Sequence, residues 1–79
     1  MEYNAKKIGE RIREIREYRK FSQEFAAEKC NCSQSTIFKY EKGAGQITAE
    51  MLFNISIGLD VSVDYLLGLS DIQQIQQNN

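Results

Sequence analysis

The stretch from Phe21 to Gly43, FSQEFAAEKCNCSQSTIFKYEKG, constrains this chain more than any other. It holds two helix-start residues, Ser22 and Ser33, whose side-chain oxygens can cap the free N–H groups of a first helical turn. Between them Asn31 tolerates the left-handed backbone of a tight turn. Glu24 suits the positive end of the first helix, and Gly43 supplies a stop for the second. The pattern predicts a short helix to about Cys30, a tight turn, and a second short helix ending near Lys42. In that second helix Ile37 and Tyr40 are three apart and can face a core, which leaves Gln34, Ser35, Phe38 and Lys39 on the outer side.

The flanks extend the helical reading, with Gly and capping residues as punctuation because the chain has no proline. A helix is expected from about Ala5 to Arg19, since Ile8, Ile12 and Ile15 form one apolar stripe among charged residues. Thr48 opens a fourth helix carrying Met51, Leu52, Ile55 and Leu59 inward and ending near Gly58. Ser62 opens a fifth, with Val63, Leu66 and Leu67 as anchors. No alternating strand pattern is present, so the fold class is all-α. Residues 1–70 are expected to form one domain, followed by a Gln/Asn-rich C-terminal tail, DIQQIQQNN, over residues 71–79.

Composition narrows the function. A chain of 79 residues can bury one small core but cannot build a cleft between domains. There is no histidine, which removes the commonest general base and metal ligand. Cys30 and Cys32 are too close in sequence to staple a fold and lack further ligands for a metal. They are expected to pack as small hydrophobes. No enzyme activity, metal, cofactor or small-molecule ligand is expected. With no apolar run long enough to span a bilayer and no leader-like start, the default is a soluble, cytoplasmic protein with no membrane partner. The net charge of −1 conceals an asymmetry: residues 1–42 carry all ten basic residues against seven acidic ones, whereas residues 43–79 carry four acids and no base. The half with the two short helices is the half suited to phosphate.

From Ile8 to Gly68 the chain resembles the lambda-repressor/Cro-like (Xre-type) helix-turn-helix family. The landmarks are Arg16, the Phe21-Ser22-Gln23 entry, Ala27, the turn near Asn31, Ser33, Ile37, Tyr40, Glu41, Gly43 and the run from Leu59 to Leu67. The resemblance implies a five-helix domain with helices 2 and 3 as the helix-turn-helix. It also implies sequence-specific binding of double-stranded operator DNA, with helix 3, about residues 33–42, in the major groove. It carries base contact to Gln34, Ser35, Phe38 and Lys39; Gln can pair with adenine, Lys can reach guanine, and a ring can touch a thymine methyl. Gln23 is implied as a phosphate contact that braces the first base-reading side chain. Ser33, Thr36, Lys42 and Gly43 are further candidates for phosphate, and Arg11, Arg13, Arg19 and Lys20 weaker ones. Arg16 and Glu41 are implied to form a partly buried ion pair with a structural role.

Two departures stand out. Ala26 occupies a place where a larger aliphatic residue is usual, with Phe25 as a candidate compensation. The loop from Ala44 to Ile47 lacks the family's usual basic residues and proline, so DNA affinity is expected to be lower and less salt-dependent than in a basic relative. A homodimer on a pseudo-palindromic operator is expected, because one domain reads about half a site. Leu67, Ile72 and Ile75 are the candidate dimer surface. The rival reading is a protein-interaction module of the same fold, of antitoxin or anti-repressor type, using Phe38 and the acidic C-terminal half.

Overall fold

The computed structural model describes residues 3–70. Five helices follow one another: α1 (Ala5–Tyr18), α2 (Gln23–Lys29), α3 (Gln34–Glu41), α4 (Ala49–Leu59) and α5 (Val63–Leu67). Ile72 and Ile75, and the tail reading as a whole, lie outside the described residues.

Each helix begins in the same way. Asn4, Ser22, Ser33, Thr48 and Ser62 sit in extended backbone, and their side chains accept the N–H of Lys7, Phe25, Thr36, Met51 and Tyr65 respectively. Each also ends in the same way. Lys20, Asn31, Gly43, Asp60 and Gly68 adopt the left-handed conformation. The next residue then returns its N–H to a carbonyl five positions back: Phe21 to Arg16, Cys32 to Ala27, Ala44 to Lys39, Val61 to Ser56 and Leu69 to Asp64. This closure satisfies carbonyls that a helix end would otherwise leave open. Repeated five times, it turns the chain sharply without long loops.

The core holds Ile8, Ile12 and Ile15 from α1, Ala26 and Ala27 from α2, Ile37 and Tyr40 from α3, Ile55 and Leu59 from α4, and Tyr65 and Leu66 from α5. Cys30, Ile47 and Val61 complete it. Burial raises the Cys30 thiol pKa to about 12, with a smaller push from Cys32, as expected for a small hydrophobe rather than a nucleophile. Cys32 is half-buried, and desolvation raises its pKa too.

One expectation holds and one needs correction here. α4 ends at Leu59, within a residue of the expected Gly58, and Asp60 makes the turn. Gly58 also has a packing role: a Cβ there would stand 2.6 Å from the Lys29 carbonyl oxygen and 2.8 Å from Cys30 Sγ. Only a residue without a side chain lets α4 lie this close to the end of α2. Phe25, in turn, does not fill the space beside Ala26. It is exposed and packs edge-on against Phe21 at a centroid distance of 4.8 Å, while Ala26 is fully buried. The half-buried Phe21 closes that side of the core.

α1 crosses α3 with backbone nearly touching backbone. A Cβ on Gly9 would come within 2.2 Å of the Tyr40 carbonyl oxygen. This crossing positions α3 with its inner residues against α1 and its opposite face in solvent. Among the described residues no helix is long and apolar enough to cross a membrane, and no cluster of side chains could hold a metal ion.

Candidate nucleic-acid interface

α3 divides into two faces. Ile37 is fully buried and Tyr40 nearly so, and burial raises the Tyr40 phenol pKa above its usual value. On the other face Gln34, Ser35, Phe38, Lys39 and Lys42 are exposed. The four side chains assigned to bases by resemblance therefore share one open surface.

At the start of α3 the hydroxyls are already engaged with one another. Ser33 Oγ accepts the Thr36 N–H at 3.2 Å and lies 2.8 Å from Thr36 Oγ1 and 3.1 Å from Ser35 Oγ. Any phosphate contact by Ser33 replaces one of these bonds. Phe38 is 48% exposed, and Lys42 lays its ammonium over the ring at 4.8 Å from the centroid. At that distance the cation is attracted by the negative face of the ring. Lys42 thus has a resting place on Phe38 from which an anion can draw it.

Gly43 cannot offer its amide to phosphate as expected. Its N–H donates to the Tyr40 carbonyl at 2.9 Å, and Ala44 closes the stop with a bond to Lys39. The residue is needed at φ 75 to end α3. Arg19 is a second correction. Its guanidinium donates through Nε to the Leu59 carbonyl and through Nη2 to the Asp60 carbonyl, capping the end of α4 rather than facing a ligand. Arg11 stacks on the Tyr65 ring at 4.4 Å, and Tyr65 reaches Glu14 through its hydroxyl at 3.2 Å. Arg13 pairs with Glu17 at 3.1 Å on the exposed side of α1. Leu67 is half-buried and packs against the core.

Behind the open face stands the ion pair. Arg16 Nε donates to Glu41 Oε2 at 2.6 Å and Nη2 donates to Oε1 at 3.1 Å, while Nη1 holds the Phe21 carbonyl at 2.8 Å. The Glu41 and Arg16 side chains are only 5% and 13% exposed. The bond to Glu41 holds the Arg16 pKa above its usual value despite the opposing effect of burial. One guanidinium thereby ties α1 to the end of α3 and to the start of the α2 segment.

Gln23 joins this network through Nε2, which donates to Glu41 Oε1 at 3.2 Å. The direction is forced, because a carboxylate can only accept. The amide is therefore fixed with its nitrogen toward Glu41. Gln23, Glu41 and Arg16 line a groove of about 240 Å³ together with Arg13, Phe38 and Lys42. Sequence spacing alone gave no sign of Gly9, of the Arg19 cap or of the Gln23–Glu41 bond, since each depends on elements brought together by folding.

Two short helices set by a left-handed Asn31, the second outward-facing and braced by a buried Arg–Glu pair, are the features of a helix-turn-helix domain. The family model described as "Helix-turn-helix" matches residues 12–66, and the chain belongs to this family, in its lambda-repressor-like form. It is 32% identical to the P22 c2 repressor protein solved in complex with synthetic operator 9T, covering 80% of this chain and 96% of that one at a TM-score of 0.74. The restriction-modification controller protein C.AhdI from Aeromonas hydrophila is 26% identical, with 78% and 94% coverage and a TM-score of 0.75. The HTH-type transcriptional regulator ImmR of Bacillus subtilis (strain 168) is 31% identical over 67 residues, which make up 85% of this chain and 53% of that protein. The chain spans about half the length of the curated relatives it matches.

Proposed function

We infer that this protein is a sequence-specific, double-stranded DNA-binding transcriptional regulator of repressor type, a cytoplasmic protein that reads the major groove with α3. The observation that carries this reading is the exposed face of Gln34, Ser35, Phe38 and Lys39 on a helix whose other side is locked to α1. A rigid helix with unspent donors and acceptors at its outer edge is what groove recognition requires. The named roles of the relatives, including a repressor solved on its operator, support the same reading.

In this reading Gln34, Ser35, Phe38 and Lys39 face base edges, and Gln23, Thr36 and Lys42 face phosphates. Ser33 caps the helix first and meets phosphate second. The Phe38 ring is placed to meet a thymine methyl once Lys42 moves from the ring to a phosphate. A homodimer on a pseudo-palindromic operator supplies the second half-site.

Selection of bound sequences from a random duplex pool tests the proposal. Enrichment of a two-fold-related motif, with affinity falling steeply as salt rises, is the expected result. Failure to bind any duplex would overturn it and leave the protein-interaction module as the better account. Sedimentation equilibrium with and without the selected duplex tests the dimer.

A further inference from the structure

The segment after α3 raises a problem of charge. Ala44, Gly45 and Gln46 are exposed and uncharged, and the Gly43 N–H is already taken. A surface that meets polyphosphate through such a loop needs cations from elsewhere. The first turn of α1 brings one. A Cβ on Gly43 would stand 2.9 Å from Lys6 Cα and 3.3 Å from Lys6 N and Cβ, so this turn lies directly against the end of α3. The Tyr3 hydroxyl accepts the Ile47 N–H at 2.8 Å, which fixes the far end of the same loop to the residues before α1.

Lys6 is exposed, and no ion pair holds it among the described residues. Seven residues further on, two helical turns along the same face, stands Arg13, which lines the groove with Gln23, Phe38 and Lys42. One face of α1 therefore runs from the uncharged loop at one end to the α2–α3 groove at the other. Lys7 belongs to a different side. Its Cε and Cδ are the atoms nearest a Cβ built on Gly68, at 3.3 and 3.7 Å, beside the end of α5.

We propose that Lys6 is a phosphate-contacting residue, supplying from α1 the positive charge that the loop after α3 lacks. This assignment rests on the DNA-binding reading above. Lys7 provides the control, since it has the same charge one residue later but is directed at another part of the molecule.

The test titrates the wild-type protein, Lys6→Gln, Lys6→Arg and Lys7→Gln against one random-sequence duplex by fluorescence anisotropy. The two glutamine variants have equal net charge, so any uniform electrostatic effect is common to both. Lys6→Gln is expected to lower the log–log salt slope by about 0.9, a difference of about threefold in the affinity lost between ~50 and ~200 mM salt. Lys6→Arg and Lys7→Gln are expected to keep the wild-type slope. Acetylation footprinting of the unmutated protein reads the same distinction without any substitution: duplex should shield Lys6 and leave Lys7 reactive. Equal slopes for the two glutamine variants, or equal shielding of the two lysines, would overturn the assignment while DNA binding itself stands. A wild-type protein that binds no duplex would remove the DNA-binding reading, and Lys6 with it.

Discussion

On its inner side α3 meets Gly9 at backbone contact, buries Ile37 and Tyr40, and fixes Glu41 to Arg16 and Gln23. On its outer side Gln34, Ser35, Phe38 and Lys39 stand in solvent, with the Lys42 ammonium over the Phe38 ring. One eight-residue helix thus combines a face with no spare room and a face with unspent hydrogen-bonding capacity. The contrast teaches that the placement of the open face depends on the closed one, because a helix of this length has little stability of its own. Changes on the open face should therefore leave stability nearly untouched, whereas changes on the closed face should lower it.

The strongest way to break that contrast is to attack the ion pair. Glu41→Ala leaves the nearly buried Arg16 guanidinium without its carboxylate and releases Gln23, and should cost about 3 kcal/mol in urea unfolding. A loss below ~1 kcal/mol would mean that water compensates Arg16 and that the inner face is less closed than its burial implies. Next in size is Gly9→Ala. Alanine favours a helix interior over glycine by about 1 kcal/mol, yet the new Cβ would collide with the Tyr40 carbonyl oxygen. Overpacking against backbone that cannot yield should outweigh that gain, for a net loss of about 2 kcal/mol. Unchanged or raised stability would show that α1 and α3 can separate freely.

The outer face should behave in the opposite way. Gln34→Ala is expected to cost about 1–3 kcal/mol of binding to the selected operator and little on random duplex, while stability shifts by less than ~0.5 kcal/mol. Equal losses on both duplexes, measured by anisotropy, would mean that Gln34 reads no base. The last test sharpens the boundary of the core, with an effect confined to alkaline pH. Because burial lifts the Cys30 pKa from 9.0 to about 12, the folded state holds the proton that the unfolded chain releases. Stability from this group is complete below pH 9.0 and declines as pH rises toward about 12. Melts at two alkaline pH values should show the wild type losing up to ~1.4 kcal/mol per pH unit more than Cys30→Ala. Parallel curves would place the thiol in contact with water.

Much of this was legible in the sequence. Ser22, Ser33, Thr48 and Ser62 marked four helix starts, and the isoleucine stripe of α1 marked the core. Asn31 and Gly43 marked two of the five stops. Of the other three, Lys20 and Asp60 were harder to see because they take the left-handed conformation without being glycine, and composition favours glycine there. Gly58 marked the end of α4 to within a residue, but its close packing against the end of α2 left no local sign. The outer residues of α3 were accessible because amphipathic spacing separates them from Ile37 and Tyr40. Gly9, the Arg19 cap on α4, and the Tyr3 bond to Ile47 were not, since each joins residues some thirty to forty-four positions apart. No local pattern encodes such a meeting.

The Tyr3 bond has a practical corollary for anyone preparing this domain. Because a hydroxyl couples the lead-in to α1 with the backbone at Ile47, a purification handle fused ahead of Tyr3 is attached close in sequence to a contact with the very loop whose behaviour a binding assay would report. Constructions that carry the handle at the opposite terminus, or cleave it cleanly before measurement, avoid confusing the handle's influence with that of the domain.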